Sequence, residues 1–244
     1  MSRLLLVVAL AGILLSLGAK PAVKSVVVEA VQDAFVVTDA STAEDPQKVR
    51  DQSFGNADSV RVSYAFKVKG DEQLVSIGLF AFGLEPLQGL EVESATLQLF
   101  ALRTDLAQPS RLIDLSLVRG PWTEKEVTFN ARPPWDANPI ATTAVYGPER
   151  WYSWDVTQTV GRLEKRGTVS YALGLRTVEE KKEEQVLFVS HEGGRSAPRL
   201  VVTYTPRPSG IGWYPWAGGI AGAAVIAFVV GWWLARRRRS VTSA

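Results

Sequence analysis

The chain has 244 residues, 46% of them hydrophobic and 21% charged, with no cysteine, one histidine and a formal net charge of +2. Without cysteine there are no disulfides and no thiolate chemistry, and a single imidazole, His191, argues against zinc and redox metals. Five of the 27 basic residues, Arg3 and Arg236 to Arg239, flank apolar segments. The other 22 face 25 acidic residues, about −3 for the middle of the chain, so no basic surface for nucleic acid is expected.

The chain opens on Arg3, the apolar run Leu4 to Leu17 and small residues Gly18-Ala19. That pattern predicts a signal peptide over 1–19, with an uncleaved signal anchor as the alternative. Period-2 alternation then predicts strands from about 26 to 205. Val60, Val62 and Tyr64 alternate with polar residues, as do Val75, Ile77 and Leu79, then Leu97 and Leu99, Ile113 to Leu117, Tyr171 to Leu175, and Leu200 to Tyr204. Gly55-Asn56, Gly70-Asp71, Gly120-Pro121, Pro133-Pro134 and Gly193-Gly194 punctuate them, as strand connections require. Many short strands at this spacing predict an all-β, antiparallel, jelly-roll-like sandwich. One helical stretch is expected, Val156 to Lys165, with Val160 and Leu163 on one face, and the charged run Glu179 to Glu184 reads as a solvated hairpin end.

A Pro/Gly linker over 206–212 reaches at most ~25 Å and leads into an apolar segment. The twenty residues Trp216 to Ala235 match one ~30 Å bilayer core. Trp213, Tyr214 and Trp216 mark one interface and Trp232 and Trp233 the other, so a transmembrane helix is expected over 213–235 with a basic cytoplasmic tail over 236–244. The expected placement is the plasma membrane, single-pass, with the strand-rich domain outside and close to the bilayer.

Four segments carry more specific information. They are Asp33 to Val36, the run WTEKEVTFNARPP from Trp122 to Pro134, the run RWYSWDVT from Arg150 to Thr157, and FVSHEGGRSAPRLVVTY from Phe188 to Tyr204. With Phe54-Gly55 and the Ala95 to Phe100 strand, they resemble the DNRLRE-type domain, an extracellular β-sandwich related to a family of carbohydrate-binding modules. The resemblance implies a β-sandwich over about 30–205 and a polysaccharide ligand. It matches Asp33, Gly55, Trp122, Glu124, Thr128, Asn130, Asp155, Glu192 and Pro198, and it implies a structural role for them. Trp122, Phe129 and Phe188 are expected in the core, and Asp155 and Glu192 bonded to loop backbone. The chain departs from the pattern at Phe82-Gly83, where the family usually has Phe-Asp, and at His191, where it often has Arg.

Flat aromatic rings flanked by polar groups suit sugars. The densest cluster is Trp135, Tyr146, Trp151, Tyr152 and Trp154, in a loop-rich stretch where function often sits on a β scaffold. Alternation puts Trp151 and Ser153 on one side of the strand and Tyr152 and Trp154 on the other. The candidate ligand site is therefore Trp135 with one of these pairs, together with Arg132 or Arg150; the alternative is that the rings only pack the core. Asp39, Asp45, Asp51 and Asp58 form a candidate calcium segment of oxygen ligands, with an exposed acidic loop as the alternative, and no other cofactor is expected. No GxSxG, phosphate-binding loop or HExxH motif is present, which points to a non-catalytic protein. The expected function is cell-surface binding of polysaccharide, with a structural or adhesive envelope subunit binding another protein as the alternative.

Overall fold

The computed structural model describes residues 22–38, 49–66, 73–106, 108–163, 167–175 and 184–206. The expected signal segment, the linker after Pro206, the apolar segment, the tail and most of the 179–184 charge run lie outside these residues. Among the described residues no helix is long and apolar enough to cross a membrane.

Ten strands form the fold: β1 (Lys24–Val37), β2 (Ser59–Phe66), β3 (Gln73–Gly83), β4 (Leu90–Asp105), β5 (Arg111–Leu117), β6 (Ala141–Val145), β7 (Arg150–Asp155), β8 (Thr168–Leu175), β9 (Glu184–Val189) and β10 (Arg199–Pro206). All pairings between them are antiparallel. The strands alternating in sequence are found where expected, because a buried face enforces period 2. The helix is α1, Thr157–Leu163, with Val160 fully buried and Leu163 packed on the core; the last residues of its pattern lie outside the described residues.

Two long strands each change partner. The first half of β1 pairs with β10, and after a bulge between Ala30 and Gln32 the second half pairs with β3. Likewise β4 pairs with β10 up to Gln98 and, from Ala101 onward with a register break before Arg103, with β9. A bulge bends a strand and increases its twist. Here the two bends let β1, β10, β4, β9, β2 and β3 close into one circuit, a sandwich-like β structure in which β8, β5 and β6 extend one side and β7 the other. The buried Pro198 supplies the carbonyl that receives the Ala30 amide at the β1 bend.

The main core fills the space inside. Leu97, Leu99, Tyr152 and Trp154 meet Phe80, Phe82, Ile113, Leu115, Tyr171, Leu173 and Phe188. Trp154 reaches across it, and its indole N–H donates to the Ile113 carbonyl at 3.1 Å. That bond satisfies a donor that burial would otherwise strand. Glu184 corrects the solvated reading of the charge run: it is buried and ion-paired with the equally buried Arg111. A carboxylate taken from water needs such a partner, and β5 supplies one.

A second, smaller core lies on the outer side of β1, β3 and β8. Ala34, Val36, Leu79 and Ala172 point away from the main core and are covered by Val118 and Val127, with Trp122, Phe129 and Trp135 packed against them. The expectation that Trp122 and Phe129 fill the same core as Phe188 is corrected accordingly. A segment this irregular has no strand alternation to reveal which layer it joins.

The cover is pinned along its length. At its base Val118 bridges Trp135. At its middle the Glu124 N–H donates to Gln32 Oε1 at 3.1 Å, and Ser53 Oγ donates to the Glu124 carbonyl at 3.0 Å. Farther on, the Asn130 amide donates to the Arg50 carbonyl and its side chain to Asp51 at 2.7 Å. Gly55 is required by this contact, since a Cβ there would sit 1.9 Å from the Glu124 carbonyl oxygen, a backbone atom. We predict that Gly55→Ala lowers stability by about 2 to 3 kcal/mol. Denaturant unfolding of the full-length chain measures this, and an unchanged midpoint would contradict the close approach.

Candidate functional site

Two outer faces exist, and the aromatic cluster is divided between them. Tyr152 and Trp154 are buried, so Trp151 and Ser153 are the outward pair of β7. Trp135 is on the other side of the main core, partly buried in the cover over β3 and β8. Arg132 belongs to the cover too. Its guanidinium lies 3.8 Å from the Phe129 ring centroid and 5.2 Å from that of Trp135, and burial lowers its pKa. The expected union of Trp135 and Arg132 with the outward β7 pair is therefore corrected: a whole hydrophobic core separates them.

The face around Trp151 is built by three paired strands. Phe100 of β4 stands opposite Trp151, and Gln98 stands opposite both Ser153 of β7 and Arg199 of β10. Phe100 meets the Trp151 ring edge-on, with centroids 5.5 Å apart. Arg199 lies 4.0 Å from the Trp151 ring centroid, a cation–π distance, while its Nε donates to Gln98 Oε1 at 3.0 Å. Ser153 is exposed. Arg150, at the rim, is exposed and lies over Tyr146 at 4.8 Å, and the Tyr146 ring is 58% exposed. In the sequence, Arg199, Gln98 and Phe100 stand only as members of motif strands, not as candidate ligand contacts. Alternation with the buried Leu97 and Leu99 places Gln98 and Phe100 outward, but their register against Trp151 depends on the long-range pairing of β4 with β7.

Below Trp151 and Ser153, Asp155 accepts from the Thr157 hydroxyl at 2.6 Å and the Thr157 amide at 2.9 Å, which hold its carboxyl below the usual range. Thr157 Oγ1 also receives the Ala95 amide at 3.0 Å. Asp155 thus bonds backbone as the resemblance implies, in a knot tying β7, α1 and β4 together. Thr128 accepts the Ala131 amide at 3.1 Å within the cover.

The remaining motif residues converge elsewhere. Asp33 of β1 is buried, and its Oδ2 accepts the His191 backbone N–H and lies 3.3 Å from His191 Nδ1. Glu192 Oε2 is 3.3 Å from the same nitrogen, and Glu124 Oε2 is 3.9 Å from Nε2. Glu192, expected to bond loop backbone, is exposed and instead faces His191. The His191 imidazole thus lies within 4 Å of three carboxylates in one cluster. It holds the 190–194 turn and the cover against β1. Of the calcium candidates, Asp51 is exposed and bonded to Asn130, Asp58 is exposed at the entry to β2, and Asp39 and Asp45 lie outside the described residues.

Burial pushes the Asp33 carboxyl up from 3.8 to about 6, against the His191 backbone bond and charge, which pull it down; Glu192 and Glu124 add to the rise. A carboxyl whose folded pKa is raised gives stability that is complete below its unfolded value and is lost as pH rises through the folded one. Stability should therefore fall between about pH 4 and pH 6.5 by on the order of 2 kcal/mol from this group. Asn at position 33 keeps the acceptor for the His191 amide without a titrating group. Asp33→Asn should remove that share of the pH slope in denaturant titrations of the full-length chain, and identical slopes in both proteins would contradict it.

Residues 24–204 match the model of carbohydrate-binding module family 96. No curated protein matches the chain. Among solved structures, the selenomethionine-labelled Fe(II)/α-ketoglutarate-dependent dioxygenase TqaL aligns with 84% of this chain and 75% of its own, at 11% identity and a TM-score of 0.17. That likeness is too slight to carry an argument about fold or chemistry. The family match covers every strand of the described fold, both outer faces and the Asp33 cluster, and on it the chain belongs to carbohydrate-binding module family 96.

Proposed function

We propose that this protein is a non-catalytic polysaccharide-binding module, of the DNRLRE type and jelly-roll-like, that takes its ligand on the outward face of β4, β7 and β10. The observation that carries the reading is Trp151. It is an outward, partly buried indole with Arg199 on its ring, Phe100 at its edge and the hydrogen-bonding groups of Gln98 and Ser153 in the next row. A sugar ring would stack on the indole and share its hydroxyls with those polar groups. Bracing by Phe100 and Arg199 lowers the entropy lost when the indole is immobilised by ligand.

The signal segment, the short linker and the apolar 213–235 segment support a module held close to the plasma membrane with its binding face outside. A structural envelope subunit would call for a contiguous apolar face. The outward face here carries Ser94, Thr96, Gln98, Ser153 and Thr203, which favours the sugar reading. The acidic stretch from Asp39 to Asp58 is proposed as a calcium segment supporting the fold, and chelation in the same assay tests it.

The test is binding of the full-length chain to a panel of neutral and acidic polysaccharides, with calcium and with chelator. Trp151→Ala should weaken binding by roughly tenfold or more, about 1.4 kcal/mol, with the unfolding midpoint nearly unchanged. Trp135→Ala should do the reverse: binding is kept, while stability falls by about 2 kcal/mol as the cover loses its packing. Binding that survives Trp151→Ala and is lost with a folded Trp135→Ala variant would move the site to the opposite face.

A further inference from the structure

The strands β6 and β7 follow one another in sequence, joined by only four residues, yet they belong to different ladders. β6 pairs with β5, and β7 pairs with β4. The connection is drawn onto β7 by the Tyr152 hydroxyl, which accepts the Tyr146 and Gly147 amides and donates to the Gly147 carbonyl. At the middle of the two strands Thr143 Oγ1 donates to the Ser153 carbonyl, a single side-chain crossing in place of a ladder. Beyond that crossing the strands part around a cleft of about 530 Å³, with α1 on its far side.

We propose that this cleft is a pocket for the terminal sugar of a polysaccharide, continuous with the Trp151 face, so that the module grips its ligand by a chain end. The inference rests on the sugar-binding reading above and adds where the chain stops. Its lining is mostly hydroxyl, amide and charge, with Ile140, Ala141 and Val156 as the apolar part and no aromatic ring. Ser153, Gln158, Thr159 and Arg162 line it, and among the described residues none of their side-chain polar groups has a protein partner. Asp155 adds a carboxylate kept ionised by Thr157. Donors and an acceptor arranged around a small volume suit a compact ligand bearing several hydroxyls, oriented by hydrogen bonds in place of stacking. An extended peptide is a poor fit, because strand addition needs an uninterrupted edge and the Thr143–Ser153 crossing interrupts this one.

Continuity follows from β7 itself. Trp151, Ser153 and Asp155 are successive outward residues about 6.8 Å apart, so the platform and the cleft are neighbours on one strand. Ser153 lines the cleft and also stands opposite Gln98 of the platform row.

The experiment uses the full-length chain with cello-, manno- and polyuronate oligosaccharides of two to six sugars and the corresponding intact polymers. For the class that binds, end recognition predicts affinities that are nearly equal for a tetrasaccharide and the polymer when counted per chain end. Gln158→Ala combined with Arg162→Ala, both exposed positions, should weaken each by about tenfold with unfolding unchanged. Affinity that instead rises with polymer length, unaffected by the double variant but abolished by Trp151→Ala, would overturn the pocket and leave the platform standing. Failure of the unaltered chain to bind any sugar would sink the platform reading and the pocket with it.

Discussion

One outer face of this module is buried by its own chain. The segment from Val118 to Trp135 lies over β1, β3 and β8 and packs Trp122, Val127, Phe129 and Trp135 onto Ala34, Val36, Leu79 and Ala172. A sandwich-like fold offers two outer faces to a ligand, and here one is spent on stability. Small residues at 34 and 172 let the cover approach, and Gly55 lets the Glu124 backbone reach the 53–55 loop. What stays available is the face of β4, β7 and β10, where Trp151 stands among polar side chains. For the proposed sugar ligand, exclusion as well as chemistry favours that face.

The same constraint explains the Asp33 cluster. A buried carboxylate is costly, and a raised pKa is the sign of that cost. The fold tolerates it because Asp33 receives the His191 amide and because the cluster joins three chain-distant parts: β1, the middle of the cover and the 190–194 turn. Loss of this tie would loosen the cover at Glu124. The motif residues Asp33, Gly55, Glu124 and Glu192 are thus spatial neighbours where the cover meets β1 and the 190–194 turn.

Much of the fold is legible in the sequence because alternation is a local signal. The strand positions, the outward direction of Trp151 and Ser153 against Tyr152 and Trp154, and the burial of Phe188 and Val160 all follow from spacing once one face is known to be core. What sequence does not carry is which layer an irregular segment joins. Trp135 and Trp151 are sixteen positions apart, both aromatic and both with an arginine within three positions, and only the long-range pairings β4–β7 and β3–β8 put a core between them. Glu184 misleads for a related reason: its neighbours suggest a solvated run, and its partner Arg111 lies 73 positions away. Arg199 is read from sequence as part of a closing motif, and its place on Trp151 emerges only from the register of β10 against β4.

The central claim, that the uncovered face carries the ligand, is tested most directly by hydroxyl-radical footprinting of the full-length chain with and without saturating polysaccharide. The account predicts that ligand protects Trp151, with Phe100 and Tyr146 beside it, and leaves the oxidation of Trp122 and Trp135 unchanged. Protection of Trp135 and Trp122 with Trp151 unaffected would contradict it and place the ligand on the cover.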